Sequence, residues 1–137
     1  MSPGADAGTG AAPAVRGLGV DAVDIERFRR VLIRRPSLAE RVFTDLERDE
    51  VSRSSDSSPR LAARFAAKEA VMKALGVGIG DIALREVEIR RSPSGQPRVV
   101  LAGRAEAIAA KRGVSAWHLS LTHTALVAVA SVVAVGP

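Results

Sequence analysis

The sequence predicts an α+β fold, with an antiparallel β-sheet packed against one long central helix. Three observations carry that expectation. Residues 58–80, SPRLAARFAAKEAVMKALGVGIG, open on a serine and a first-turn proline, close on Gly76, and hold strong helix formers between. Residues 114–121, VSAWHLSL, alternate apolar and polar as a half-buried strand does. The turn-forming SPSGQP at 92–97 links two short β-like runs as a hairpin, and strands joined by tight turns build antiparallel sheets with helices to one side.

Residues 1–14, MSPGADAGTGAAPA, carry no basic residue and no long apolar run, so they read as a flexible N-terminal tail and not as a secretory signal. Residues 15–137 are sized for a single domain. Residues 15–23 alternate as a strand, with Leu18, Val20 and Ala22 on one face and Gly17, Gly19 and Asp21 on the other. The paired glycines admit the close approach of another backbone. An alanine-faced helix is a fitting neighbour, and packing it there brings Glu69 towards Asp21. Asp21 reads equally as a strand-end or capping residue.

A helix follows at 24–35, capped by Asp24, with Ile25, Phe28, Val31 and Leu32 as its core stripe and Arg27, Arg30 and Arg34 on another face. Pro36 ends it. A short segment at 37–42 precedes a third helix, whose Thr44 and Glu47 form a capping box. Residues 52–58, SRSSDSS, read as a mobile polar linker. In the long helix, Leu61, Phe65, Met72 and Leu75 make one stripe, Ala63, Ala66, Ala67, Ala70 and Ala74 the opposite side, and Arg64, Lys68, Glu69 and Lys73 flank them. Such a helix is covered on both sides. Beyond it come a strand at 84–89, its partner at 98–101, a helix at 103–112, the strand at 114–121, a corner at Thr122, His123 and Thr124, and a buried strand at 126–135.

Composition narrows the chemistry. The absence of cysteine excludes disulfides, thiolate catalysis and cysteine-ligated zinc. No apolar run is long enough to span a bilayer, so a cytoplasmic protein without a membrane partner is expected. A net charge of +5 favours acidic partners. A basic nucleic-acid-binding module is the alternative this raises, but aromatics at 3% with no tyrosine leave no stacking platform for single strands.

Of the 20 basic residues only Lys68, Lys73 and Lys111 are lysine, and two of these share the long helix. A lysine is a compact point charge suited to phosphate. Glu69 and Lys73, four apart, form either an ordinary helical ion pair or a cation ligand with an ammonium beside it. The candidate polar set is Asp21, Arg64, Lys68, Glu69, Lys73, His118, Ser120, His123 and Thr124. Two carboxylates from separate elements suit Mg²⁺; two histidines without cysteine argue against zinc. A Ser120–His123–Asp21 triad lacks any G-x-S-x-G context. The glycines at 76, 78 and 80 can expose backbone N–H groups, but they follow a helix instead of opening one. The residues alone thus point to an Mg²⁺-dependent enzyme acting on a phosphorylated substrate.

Three segments, GLGVDAVDIERF, ARFAAKEAVMKALGVGIG and WHLSLTHT, taken in this order and spacing, resemble the holo-acyl-carrier-protein synthase family of 4′-phosphopantetheinyl transferases. The resemblance covers residues 16–135; the tail and the length of the 52–58 linker depart from the family's compact form. It implies the phosphopantetheinyl transferase fold and transfer of 4′-phosphopantetheine from coenzyme A, the co-substrate, to a serine of an acyl carrier protein. By motif, Asp21 and Glu69 hold Mg²⁺, with Mn²⁺ as the alternative, and act with Lys73 in catalysis. Lys73, Arg64, Gly76, Ser120, His123 and Thr124 fall at the coenzyme. Arg27, with Arg30 and Arg34, meets the acidic carrier. The family also implies a homotrimer with active sites between subunits.

Overall fold

The computed structural model describes residues 12–137, and of the expected tail only residues 12–14 fall within it. The first strand, β1, runs Ala14–Asp24. Three short helices follow: α1, Ile25–Arg34; α2, Ser37–Val42; and α3, Asp45–Val51. The long helix α4 is Ser58–Leu75. The hairpin strands β2, Val87–Arg91, and β3, Pro97–Leu101, come next. Helix α5, Gly103–Lys111, leads to β4, Ala116–His123, and β5, Val127–Gly136.

β1, β5 and β4 form an antiparallel sheet in that spatial order. Ala128, Ala130, Val132 and Ala134 of β5 line its inner face, all completely buried. Against this low surface lies the alanine side of α4. Gly17 and Gly19 decide how close it comes: a Cβ at either would run into the carbonyl oxygen of Ala74 or Ala70. The helix therefore rests on β1 backbone to backbone, antiparallel to the strand. Its other side is covered by the β2–β3 hairpin, whose Val87 and Ile89 share a core with Val71, Met72 and Leu75. A second core, around Ile25, Phe28, Val42 and Phe43, ties α1–α3 to the first half of α4. The expectation of a helix covered on both sides holds.

The caps behave as their residues dictate. Asp24 accepts from the N–H of Arg27, and Thr44 and Glu47 form the reciprocal capping box. Three boundaries differ from expectation. Leu84–Glu86 is a 3₁₀ turn and not strand, because the Glu86 carboxylate takes the Ala83 N–H and the Leu84 carbonyl accepts from Lys68. Thr122 and His123 stay in the ladder, opposite Val129 and Ala128, so the corner falls at 124–126. Residues 52–58 are not a free linker: Asp56 binds Arg29 at 2.5 Å and accepts the Ser58 N–H, and Ser58 begins α4.

Candidate active site

Asp21 lies on the inner face of β1, one step beyond Gly19, and the glycines that seat α4 also set the level at which the helix meets it. Lys73 donates to the Asp21 carboxylate at 3.1 Å and to the Val20 carbonyl at 3.0 Å. Glu69 is close enough that burial, and then the Asp21 charge, hold its carboxyl above the ordinary carboxylate range, with Lys73 partly opposing. Lys73 thus pairs across to β1 and is not simply the partner of Glu69 along its own helix. Two acidic groups face one another with a single ammonium between the elements. Among the described residues no cluster of three or more His, Cys, Asp and Glu gathers. Two carboxylates, all-oxygen and hard, suit a cation that fills its remaining positions with water and phosphate oxygens; Asp21 and Glu69 fit such a group.

Beside this pair opens a cavity of about 510 Å³ between β1, α1, α2 and α4. Asp21, Glu69, Asp24 and Arg27 give it a polar end; Phe28, Leu32, Leu38, Val42, Phe43 and Phe65 make the rest apolar. The sequence shows Phe28, Leu32 and Phe65 as core stripes, but not the hollow that they leave with Leu38, Val42 and Phe43. Arg27, Arg30 and Arg34 follow one stripe of α1, and none makes an ion pair among the described residues. Arg29, off that stripe, binds Glu26 and Asp56.

A second depression, of about 240 Å³, lies on the opposite flank of α4, lined by Arg60, Arg64, Arg91, Thr122 and His123 with Ala63 and Leu121. Helical geometry enforces the separation: Phe65, Glu69 and Lys73 fall on one side, Arg60 and Arg64 on the other. One chain therefore does not bring Arg64 and His123 together with Asp21, Glu69 and Lys73. Arg64 is buried and bound to Glu50 at 2.8 Å, with its Nε left without a partner.

Five expected site residues stand elsewhere. Gly76 takes the left-handed C-cap of α4, φ 70°, and its N–H is spent on that turn, so it has none to offer a phosphate. Val77 and Gly78 likewise bond within the loop, to Met72 and Asp81. Ser120 and His118 are exposed on the outer face of β4, away from α4, which also breaks any Ser120–His123–Asp21 triad. Thr124 builds the β4–β5 corner, its hydroxyl accepting the N–H groups of Leu126 and Val127. Lys68 is wholly interior, where it donates to Glu47 at 2.7 Å and to the carbonyls of Val87 and Leu84. Arg60 and Arg91 also line the depression beside Arg64 and His123, and the sequence singles out neither.

Residues 17–130 match the family model of the 4′-phosphopantetheinyl transferase superfamily. A holo-[acyl-carrier-protein] synthase of Salinispora arenicola is 49% identical over 117 residues, covering 85% of this chain and 95% of that protein. The crystal structure of the holo-[acyl-carrier-protein] synthase of Neisseria meningitidis superposes with a TM-score of 0.81 at 31% identity, covering 88% and 98%. That of Bacillus anthracis str. Ames, in complex with CoA (3′,5′-ADP), gives 0.74 at 30% identity, covering 90% and 98%. The chain belongs to the 4′-phosphopantetheinyl transferase superfamily, in its holo-acyl-carrier-protein synthase branch. Its reaction is the transfer of 4′-phosphopantetheine from coenzyme A to a serine of an apo-acyl carrier protein.

Proposed function

We propose that the transfer takes place at Asp21, Glu69 and Lys73, and that coenzyme A reaches from there into the Arg64–His123 depression of a neighbouring copy of the chain. The observation that carries this reading is the split just described, with carboxylates on one flank of α4 and basic side chains on the other. A cyclic assembly brings one flank of each copy against the other flank of the next. The homotrimer implied by the resemblance is such a ring. Val15, Leu18 and Val20, at 67%, 69% and 57% exposure, give the outer sheet face an apolar edge that supports it.

Asp21 and Glu69 would hold Mg²⁺, or Mn²⁺ in its place. When bound, the cation supplies charge neutralisation at the pyrophosphate oxygens. The carrier serine Oγ attacks the β-phosphorus of coenzyme A, and the bond from that phosphorus to the oxygen bridging the two phosphates breaks. Adenosine 3′,5′-bisphosphate leaves. Lys73 places a fixed positive charge beside the phosphate that gains charge as it departs. Glu69 and a water at the same site are the two candidate acceptors of the serine proton. The apolar cavity excludes water from the polar end of the site. Arg27 lines the cavity and Arg30 and Arg34 continue its stripe, none in an ion pair among the described residues, which supports docking of an acidic carrier there. A cytoplasmic setting, where coenzyme A and carrier meet, completes the reading.

The test is an incubation of the protein with coenzyme A and apo-carriers of fatty-acid and polyketide type, with Mg²⁺ or with EDTA. The expected result is the pantetheine mass gain on a carrier with Mg²⁺ alone. Equal transfer in EDTA removes the metal assignment.

A further inference from the structure

Two contacts of opposite kinds hold α4. Towards β1 the helix is smooth: Ala70 and Ala74 lie over Gly19 and Gly17 so closely that no Cβ fits between. Such a contact fixes how near the helix comes, but alanine against glycine offers few ridges to stop it turning about its axis or sliding along the strand. Across that seam the only side-chain hydrogen bonds among the described residues are those of Lys73, which is 56% exposed. A lysine that works as the charge beside the leaving phosphate cannot at the same time anchor its helix.

The far side of α4 is the reverse. Lys68, one residue before Glu69, is wholly interior, and its ammonium donates to Glu47 at 2.7 Å, to the Val87 carbonyl at 2.6 Å and to the Leu84 carbonyl at 3.0 Å. These acceptors belong to α3, to β2 and to the turn before β2. Glu47 is held as firmly: its Oε1 also takes the Thr44 N–H, and its Oε2 the Ile89 N–H. The ammonium also lies over the Phe43 ring, 5.4 Å from the centroid. Shifting α4 by one residue, about 1.5 Å along its axis and 100° around it, breaks all three ammonium bonds inside the core. Stability alone is not what such a pair contributes, since apolar residues of similar volume are often as stable. A fully satisfied polar network adds a single permitted placement.

We propose that Lys68 and Glu47 are positioning residues for the transfer, locking the rotation and axial register of α4 so that Glu69 faces Asp21. The glycines of β1 set the distance between the two elements, and the buried pair sets the register. The proposal rests on the reading that Asp21 and Glu69 hold the cation.

The experiment replaces the pair by a neutral one, Glu47→Gln with Lys68→Met, which keeps an acceptor for the Ile89 N–H and fills the volume of the lysine stem. Thermal melts check that it folds. Mn²⁺ affinity is read from the free ion by electron paramagnetic resonance, with neither coenzyme A nor carrier present; kcat and the Mg²⁺ requirement follow at saturating substrates. The double variant is expected to bind Mn²⁺ about tenfold more weakly and to need about tenfold more Mg²⁺, the scale on which groups that orient metal ligands act. Its kcat should fall even at saturating Mg²⁺. Glu47→Asp, which keeps both charges and draws the anchor back by one methylene, should weaken Mn²⁺ in the same direction, and it decides the matter if the neutral pair does not fold. Ile108→Ala removes core volume on α5 and should lower the melting temperature with Mn²⁺ affinity unchanged. Wild-type Mn²⁺ affinity and Mg²⁺ requirement in the folded pair variants overturn the lock, and so does an equal loss of Mn²⁺ affinity in Ile108→Ala. Asp21→Ala separates the lock from the site: if it leaves Mn²⁺ binding intact, the cation reading falls. If it abolishes binding and the pair variants do not weaken it, only the lock is wrong.

Discussion

Lys68 and Lys73 stand five positions apart on α4, and their surroundings give them different work. Lys68 is completely buried, with all three ammonium donors taken by Glu47, Leu84 and Val87. Lys73 is half exposed and meets Asp21. If Lys73 acts as a point charge on the pyrophosphate, Lys73→Arg should lower kcat at least about tenfold with the melting temperature unchanged, since a planar fork cannot occupy the same position. Near-normal turnover would return it to a surface ion pair. Asp21→Ala and Glu69→Ala should each reduce transfer about a hundredfold or more while the fold survives, because neither removes core volume. Thermal melts alongside the activity assay separate the two effects. Glu69 also sets a pH signature in metal-free protein. Its folded pKa is raised above the ordinary 4.5, so its contribution to stability is full below that value and is lost as pH rises through the folded one. In melts in EDTA across that range the wild type should lose stability relative to Glu69→Gln as pH rises; a constant difference between the two proteins contradicts the crowding of Glu69 by burial and Asp21.

At the scale of elements, the contact between β1 and α4 decides whether the site forms. Gly19→Ala places a methyl against the Ala70 carbonyl, and separating the two elements should cost about 1–3 kcal/mol and loosen the register of Glu69 on Asp21. Chemical denaturation and the Mg²⁺ dependence of activity measure the two consequences. This contact was legible in the sequence, because two glycines on one strand face and an alanine side on one helix have few other uses. The buried pair was not. Glu47 appeared as a capping-box residue, which it is, but its second oxygen also accepts the Ile89 N–H and its first accepts from Lys68. Long-range partners of this kind leave no spacing signal. Lys68→Met, which strands Glu47 in the interior, should destabilise by about 3–5 kcal/mol, far more than a surface pair would. On α1, Arg27→Glu should raise KM for the carrier about tenfold and leave KM for coenzyme A little changed. An unchanged carrier KM would make the arginine stripe a solvated face.

At the scale of the whole molecule, a strand-by-strand reading recovers the α+β class and both hairpins, since alternation and turn residues are local. What it could not recover is which elements pack against each flank of α4, and so which side chains from β1, β2 and β4 join those of the helix. Residues that resemble one site by motif, Asp21 and Glu69 with Arg64 and His123, are divided by the helix that carries half of them. The active site proposed for this chain is therefore a property of the assembly, and subunit mixing tests it most directly. Asp21→Ala and His123→Ala proteins, each prepared separately and each deficient in transfer, are unfolded together at equal amounts and refolded. If a site takes Asp21 from one copy and His123 from the next, random reassembly restores about a quarter of the wild-type sites, because one in four junctions joins two intact halves. A mixture no more active than its two components would show that each site is built within a single chain, and would contradict the account.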